Sequence, residues 1–100
     1  MERSQKAKLR FKLPYRVILT QRAIKSFERL PHETKERVSE VFDTLSQTPV
    51  PFTTLDVKKL KGLGSAYRIR IGDWRIIYEY HTKTKTVVID DILRRAKAYS

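Results

Sequence analysis

Cysteine is absent from this sequence of 100 residues, and its absence excludes several kinds of chemistry. Without thiols the chain can form no disulfide, no thiol nucleophile, and no cysteine-ligated zinc or iron–sulfur site. Only two histidines are present, His32 and His81, and their spacing is not that of a metal site. We therefore expect no metal and no other cofactor.

Long hydrophobic runs are also missing. The longest spans three or four residues, whereas a transmembrane helix needs about 20. The basic N-terminal residues lack the apolar segment of a secretory signal. These observations predict a cytoplasmic protein. A length of 100 residues fits one small domain, which we place at residues 15–100, after a basic arm at residues 1–14.

Acidic residues are scarce, because 11 Asp and Glu oppose 22 Lys and Arg and give a formal net charge of +11. The excess lies toward the two ends of the chain, while the middle is nearly balanced. Such a charge either keeps a protein soluble or attracts a polyanion. Nucleic acid is favoured over an anionic membrane, because no segment has the pattern of a basic amphipathic helix with an aromatic face.

A strand and two helices are predicted in the first half of the chain. Alternating residues at 15–19 indicate a strand, Thr20 can cap the helix that follows, and Pro31 ends that helix. A second helix ends before residues 48–51, and the short connection predicts an antiparallel helical hairpin. Phe52 is expected to pack beneath the helices. The predicted apolar faces are Ala23, Ile24, Phe27 and Leu30 in the first helix and Val38, Val41, Phe42 and Leu45 in the second.

Three antiparallel strands are predicted in the second half. Residues 67–71 and 74–80 flank a two-residue loop that begins with Gly72, and glycine at this position indicates a type II′ hairpin. A last strand at residues 86–92 completes a meander. The predicted fold class is therefore α+β: an N-terminal strand, a helical hairpin, and a three-stranded antiparallel meander packed on the helices.

The hairpin sorts its side chains onto two faces. The face expected to pack on the helices consists of Tyr67, Ile69, Ile71, Trp74, Ile76, Tyr78 and Tyr80. The other face carries Arg70 directly opposite Arg75, with Arg68 two residues away. Like charges directly opposite each other destabilise a sheet by up to about 1 kcal/mol, although screened surface arginines often cost nothing measurable.

Basic residues from two further segments could reach the same face as these arginines. They are Lys58, Lys59 and Lys61 before the hairpin and Arg94, Arg95 and Lys97 after the last strand. Guanidinium groups are planar forks that suit phosphate oxygens, so several around one point predict a phosphodiester site. Tyr99 could stack on a base or pack on the edge of the sheet, and both interpretations stay open.

These elements and motifs resemble the RelE/ParE toxin superfamily over residues 15–99. The segments that carry the resemblance are KKLKG at residues 58–62, YRIRIGDWRIIY at residues 67–78 and RRAKAY at residues 94–99. The spacing through residues 50–60 is most similar to archaeal members.

The resemblance implies a type II toxin that enters the ribosomal A site and cuts mRNA, with the 2′-hydroxyl attacking the adjacent phosphate. It also implies mRNA, ribosomal RNA and a RelB-type antitoxin as partners. The catalytic candidates are Arg68, Arg70, Arg75, Arg95 (or Arg94, because tail lengths vary), Lys97 and Tyr99, and the RNA-binding candidates are Lys58, Lys59, Lys61 and Arg94.

One departure from the family concerns proton transfer. Efficient nucleases of the family often have lysine where this chain has Arg68 and Arg70, and an arginine does not release its proton near neutral pH. The 2′-hydroxyl proton would then pass to Lys97, to Tyr99, or to ribosomal RNA and water. Two alternatives stay open: a ParE-type poison of DNA gyrase, and a catalytically silent module that binds RNA or antitoxin.

Overall fold

The computed structural model describes residues 15–62, 64 and 66–95. The predicted arm and the tail candidates Lys97 and Tyr99 lie outside this part of the chain. In chain order the elements are β1 (Arg16–Leu19), α1 (Gln21–Glu28), α2 (His32–Gln47), β2 (Asp56–Lys59), β3 (Ala66–Ile71), β4 (Trp74–His81) and β5 (Thr86–Arg94). Within the described residues, neither helix is long and apolar enough to cross a membrane.

The strands form one sheet in the order β1-β5-β4-β3-β2. β1 runs parallel to β5, and the other neighbours are antiparallel. The predicted α+β architecture is confirmed, including the meander of β3, β4 and β5. The additional strand is β2, which the sequence pattern does not indicate because Val57 is its only apolar residue. Pairing with β3 makes this segment a strand, and charged side chains are common on such edges.

The predicted register of the β3–β4 hairpin is confirmed. Arg70 pairs with Arg75, and Arg68 pairs with Ile77. Gly72 has a φ of 58°, which only glycine adopts at low cost and which the first position of a type II′ turn requires. The turn therefore fixes which side chains of the two strands lie opposite each other.

The core lies between the helices and one face of the sheet. Its buried side chains are Ala23, Leu30, Val38, Val41, Leu45, Ile69, Ile71, Ile76, Tyr78, Val87, Ile89 and Ile92. Phe27, Phe42, Tyr67 and Trp74 are partly buried and pack against this cluster. The predicted apolar faces of α2 and of the hairpin thus supply most of the core, and α1 contributes a narrower face than predicted.

Two expectations about single side chains are wrong. Ile24 is 40% exposed and Phe52 is 61% exposed. Phe52 lies in a tight turn that is closed by hydrogen bonds from Phe52 N to Val50 O and from Leu55 N to Pro51 O. Pro51 is the buried residue of this turn, so the neighbouring phenyl ring remains outside the core.

Polar contacts fix α1 against β5. Thr20 Oγ1 accepts a hydrogen bond from Ala23 N at 3.1 Å, which is the predicted cap, and it donates to Asp90 O at 2.9 Å. Ser26 Oγ donates to Asp91 Oδ1 at 2.6 Å. Both aspartates lie where the pairing of β5 with β4 shifts at a β-bulge. The cap and the bulge together hold the start of α1 against the middle of the sheet.

Tyr78 is the largest of the fully buried side chains. Its hydroxyl donates to Pro49 O at 2.8 Å and so ties the sheet to the loop after α2. Its ring stacks on that of Tyr67, with centroids 5.6 Å apart. Burial raises the pKa of the Tyr78 hydroxyl, and the negative charge of an ionised Tyr67 would raise it further. The hydroxyl therefore remains a neutral donor.

Replacing Tyr78 by Phe removes this hydroxyl and leaves Pro49 O without its donor. We expect the free energy of unfolding to fall by about 1–2 kcal/mol, as measured by urea denaturation. Tyr67→Phe is the matched control, because the Tyr67 hydroxyl makes no hydrogen bond within the described residues. It should change stability by less than about 0.5 kcal/mol. Equal losses in the two variants would contradict the role of the Tyr78 hydrogen bond.

Candidate functional site

Three arginines lie on the face of the sheet that points away from the helices. Arg70 and Arg75 oppose each other directly across β3 and β4, and Arg68 lies two residues along β3. The register continues into β2, where Asp56 pairs with Arg70 and Lys58 with Arg68. Because paired residues of antiparallel strands share a face, Asp56 and Lys58 join the arginines. These five residues are termed the arginine face.

The arginines differ in exposure. Arg75 is 3% exposed and Arg68 is 8% exposed, whereas the side chain of Arg70 is 56% exposed. Burying a charge costs several kcal/mol unless partners compensate for the lost water. The interpretation as screened surface charge therefore fits Arg70 alone and does not hold for Arg68 or Arg75.

Backbone carbonyls of the hairpin hold Arg75 in place. Its Nη1 donates to Gly72 O and to Trp74 O, each at 2.9 Å. The turn thus sets the register and also directs two carbonyl oxygens at the guanidinium group. A charge held in this way is preorganised, so it needs little reorientation when negative charge develops beside it.

Asp56 supplies the negative charge of the arginine face. Arg70 Nε donates to its Oδ2 at 2.7 Å, and Arg68 Nη1 lies 3.5 Å from its Oδ1. Arg68 Nε is buried and has no hydrogen-bond partner among the described residues. Sequence reasoning missed Asp56 because β2 lacks a strand pattern. The one signal in the sequence for such a carboxylate was the opposed pair Arg70 and Arg75, because a nearby negative charge stabilises a like-charged pair.

The lysines predicted to bind RNA are divided between surfaces. Lys58 is exposed on the arginine face. Lys59 pairs with Tyr67 and therefore belongs to the helix-facing side of the sheet. Lys61 is exposed in the turn between β2 and β3. The structure thus brings one of the three lysines to the arginines.

The two tail arginines make different contacts. Arg94 pairs with Trp74 on the helix-facing side, and its guanidinium lies over the Trp74 ring, 5.1 Å from the centroid. The structure therefore does not bring Arg94 to the arginine face. Arg95 N donates to Asp73 O at 2.8 Å, which ties the chain after β5 to the hairpin turn that also holds Arg75.

A pair of carboxyl groups lies further along the sheet. Asp90 on β5 forms a side-chain hydrogen bond with Glu79 on β4, and Glu79 Oε1 lies 3.1 Å from His81 Nε2. The pKa of Asp90 is raised to about 7, mainly by burial and further by the hydrogen bond and negative charge of Glu79 and by the charge of Asp91, while His81 opposes the rise. Asp90 therefore retains a proton for part of the time at neutral pH.

The arginine face suits chemistry at a phosphate group. Its guanidinium N–H groups come from two adjacent strands and can stabilise negative charge on phosphate oxygens. The same groups cannot accept a proton, because arginine stays charged. Among the residues that the structure describes, no group of three or more His, Asp or Glu side chains is placed to hold a metal ion.

Comparison with known protein families identifies the family of the chain. Residues 17–99 match the family described as the ParE toxin of the type II toxin–antitoxin system parDE. The chain belongs to this family. The toxin is also 32% identical over 87 residues to RelE1 of Methanocaldococcus jannaschii, an alignment that covers 87% of the toxin and 97% of that relative.

Solved structures of similar toxins share the fold. A chain of the archaeal RelE–RelB complex from Pyrococcus horikoshii has a TM-score of 0.76 and 36% identity, covering 85% of the toxin and 99% of that chain. A chain of the toxin–antitoxin complex RelBE2 from Mycobacterium tuberculosis has a TM-score of 0.70 and 28% identity, covering 83% and 100%. The resemblance to the RelE/ParE superfamily is confirmed, and the protein is a RelE-family toxin of the type II class.

The raised pKa of Asp90 makes the stability of the toxin depend on pH. The folded state keeps a proton that the unfolded state releases above its pKa of 3.8, so stability falls as pH rises from about 4 to about 7. Because Asp90 is partly exposed, solvent screening limits the effect to about 1 kcal/mol. We expect Asp90→Asn to stabilise the toxin by about this amount at pH 8 and to have little effect at pH 4, as measured by urea denaturation.

Glu40→Gln, on the exposed surface of α2, is the control for this measurement. Its effect on stability should be small at both pH values. A difference between Asp90→Asn and wild type that is the same at pH 4 and pH 8 would contradict the assigned shift.

Proposed function

We propose that the toxin is a ribosome-dependent endoribonuclease that cleaves mRNA in the A site and so inhibits translation. The observation that carries this proposal is the directly opposed pair of Arg70 and Arg75, with Arg68 beside it. Opposed like charges destabilise a sheet, so their placement favours a negatively charged ligand. The resemblance to RelE toxins supports mRNA as that ligand.

In the proposed reaction the 2′-oxygen of one nucleotide forms a bond to the adjacent phosphorus. The bond from phosphorus to the 5′-oxygen of the next nucleotide then breaks, which leaves a 2′,3′-cyclic phosphate and a 5′-hydroxyl. One proton leaves the attacking hydroxyl and one reaches the departing oxygen. The phosphorane between these steps carries two negative charges, and their stabilisation is the task assigned to the arginines.

The roles of the arginines follow from their surroundings. Arg75 is buried and is fixed by two carbonyls, so its charge acts at reduced dielectric and without reorientation. Arg70 is exposed and suits direct contact with a phosphate oxygen. Arg68 adds a second buried charge on the same face. Arg95 is proposed to complete the site from the chain segment attached to the hairpin turn.

The proton transfers are assigned outside the three arginines. Lys97 and Tyr99 remain the proposed groups of the toxin, and ribosomal RNA with water is the other source. A site whose arginines stabilise charge and whose proton acceptor is partly supplied by the ribosome would be inactive on free RNA. This division of tasks would explain the proposed dependence on ribosomes.

RNA and an antitoxin are the two proposed partners. Lys58 would bind mRNA beside the cut, while Lys59, Lys61 and Arg94 would contact RNA from the neighbouring surfaces on which they lie. A RelB-type antitoxin is proposed as the inhibitor, since the solved relatives include RelE–RelB complexes. An acidic segment that folds on binding would neutralise the arginine face.

Primer extension on mRNA tests the proposed function. We expect cuts in phase with codons when ribosomes translate the message, and no cuts on the same RNA without ribosomes. A DNA-damage response without mRNA cleavage would instead identify a gyrase poison. If the toxin causes neither mRNA cleavage nor a DNA-damage response, it is a silent binding module.

Replacing Arg75 by Ala should lower the cleavage rate by about 100- to 1,000-fold, the usual loss when a preorganised charge-stabilising group is removed. Arg95→Ala should also reduce toxicity strongly. Both effects are measured by growth after induction and by primer extension. Full toxicity of either variant would count against its assignment.

Matched variants separate catalysis from folding. Arg75→Lys keeps the buried charge but not the planar fork. We expect this variant to fold, and to cleave mRNA at least about 10-fold more slowly than wild type does. Arg22→Ala, exposed on α1, should retain full toxicity. Thermal denaturation shows whether each variant is folded.

A further inference from the structure

Asp56 contacts two of the three arginines on the arginine face. It lies on the edge strand β2, in the same row across the sheet as Arg70 and Arg75. Its Oδ2 accepts from Arg70 Nε at 2.7 Å, and its Oδ1 lies 3.5 Å from Arg68 Nη1. The Asp56 side chain is 43% exposed, so it lies at the entrance to the face and within reach of a ligand.

The contact with Arg70 uses one edge of the guanidinium group. Within the described residues, Arg70 is bonded to Asp56 through Nε, and neither of its Nη groups takes part in a hydrogen bond or an ion pair. A guanidinium group has five N–H donors in a fixed plane. A hydrogen bond at Nε therefore restricts the orientation of the group and leaves the two Nη groups available to a phosphate.

Arg70 needs such a restraint more than its neighbours do. It is 56% exposed, whereas Arg68 and Arg75 are held by burial. An exposed arginine has many rotamers, and the charge of Arg75 directly opposite pushes it away from the face. A carboxylate beside Nε counteracts both effects, because it restricts the rotamers and offsets the repulsion.

We propose that Asp56 is a positioning residue for RNA cleavage, which holds Arg70 by its Nε edge so that the Nη groups meet the scissile phosphate. The inference rests on the proposed function. It assigns Asp56 no proton transfer, because both carboxylate oxygens face guanidinium groups. Asp56 acts through Arg70, so substitutions at both residues, made singly and together, test its role.

Cleavage kinetics on translating ribosomes provide the first test. Asp56→Ala should lower kcat about 10- to 100-fold, the range expected when a reacting group loses its orientation, with a smaller change in KM. Asp56→Asn should lose less, because the amide oxygen can still accept from Arg70 Nε. Asp43→Ala, exposed on α2, is the matched control and should match wild type.

A double-mutant cycle shows whether Asp56 acts through Arg70. When Arg70 is already Ala, the further change Asp56→Ala should lower kcat by less than about 2-fold, because the group that Asp56 positions is gone. Independent, multiplicative losses would overturn the inference. Cleavage at or above the wild-type rate by Asp56→Ala would also overturn it, because the carboxylate would then be dispensable or would compete with the phosphate.

Nuclear magnetic resonance of the arginine Nε–Hε groups tests the contact without any activity. We expect the Arg70 Hε to exchange with water at least about 10-fold faster in Asp56→Ala than in wild type or Asp43→Ala. Equal exchange rates would overturn the inference even if the toxin cleaves mRNA. Absence of cleavage by the wild-type toxin, together with a protected Hε, would instead refute the proposed function and with it the assigned role, while leaving the contact established.

Discussion

The register of the β3–β4 hairpin determines which side chains form the arginine face. A shift of one residue would exchange the two faces of the sheet, so the arginines would enter the core and the isoleucines would meet water. The turn that begins at Gly72 fixes this register, and Gly72 O also accepts from Arg75. Packing of the apolar face on the helices thereby secures the positions of the charges on the opposite face.

The arginine face combines charges that are fixed with a charge that is adjustable. Arg75 and Arg68 are buried, and the backbone or Asp56 holds them, whereas Arg70 is exposed and depends on an ion pair. Such a combination suits a ligand that arrives from solution and then gains negative charge as it reacts. Further along the sheet, the raised pKa of Asp90 limits the negative charge of the Asp90–Glu79 pair near neutral pH.

Local patterns were sufficient to predict most of the fold. Thr20 marked the start of α1, the spacing from Val38 to Leu45 marked the buried face of α2, and Gly72 gave the hairpin register. Features that arise only from strand pairing in three dimensions could not be predicted from the sequence. β2 is a strand because β3 lies beside it, so Asp56 was not found. The side taken by Arg94 depends on its register with Trp74, and the burial of Arg75 depends on carbonyls that the folded turn supplies.

Our proposal is that these guanidinium groups stabilise attack by a 2′-hydroxyl on the neighbouring phosphate. It is tested most directly by programming ribosomes with a message that carries a single 2′-deoxynucleotide immediately 5′ to the cut. We expect the unmodified message to yield a fragment ending in a 2′,3′-cyclic phosphate and the deoxy message to remain uncut at that position. Cleavage of the deoxy message at the same bond would contradict it.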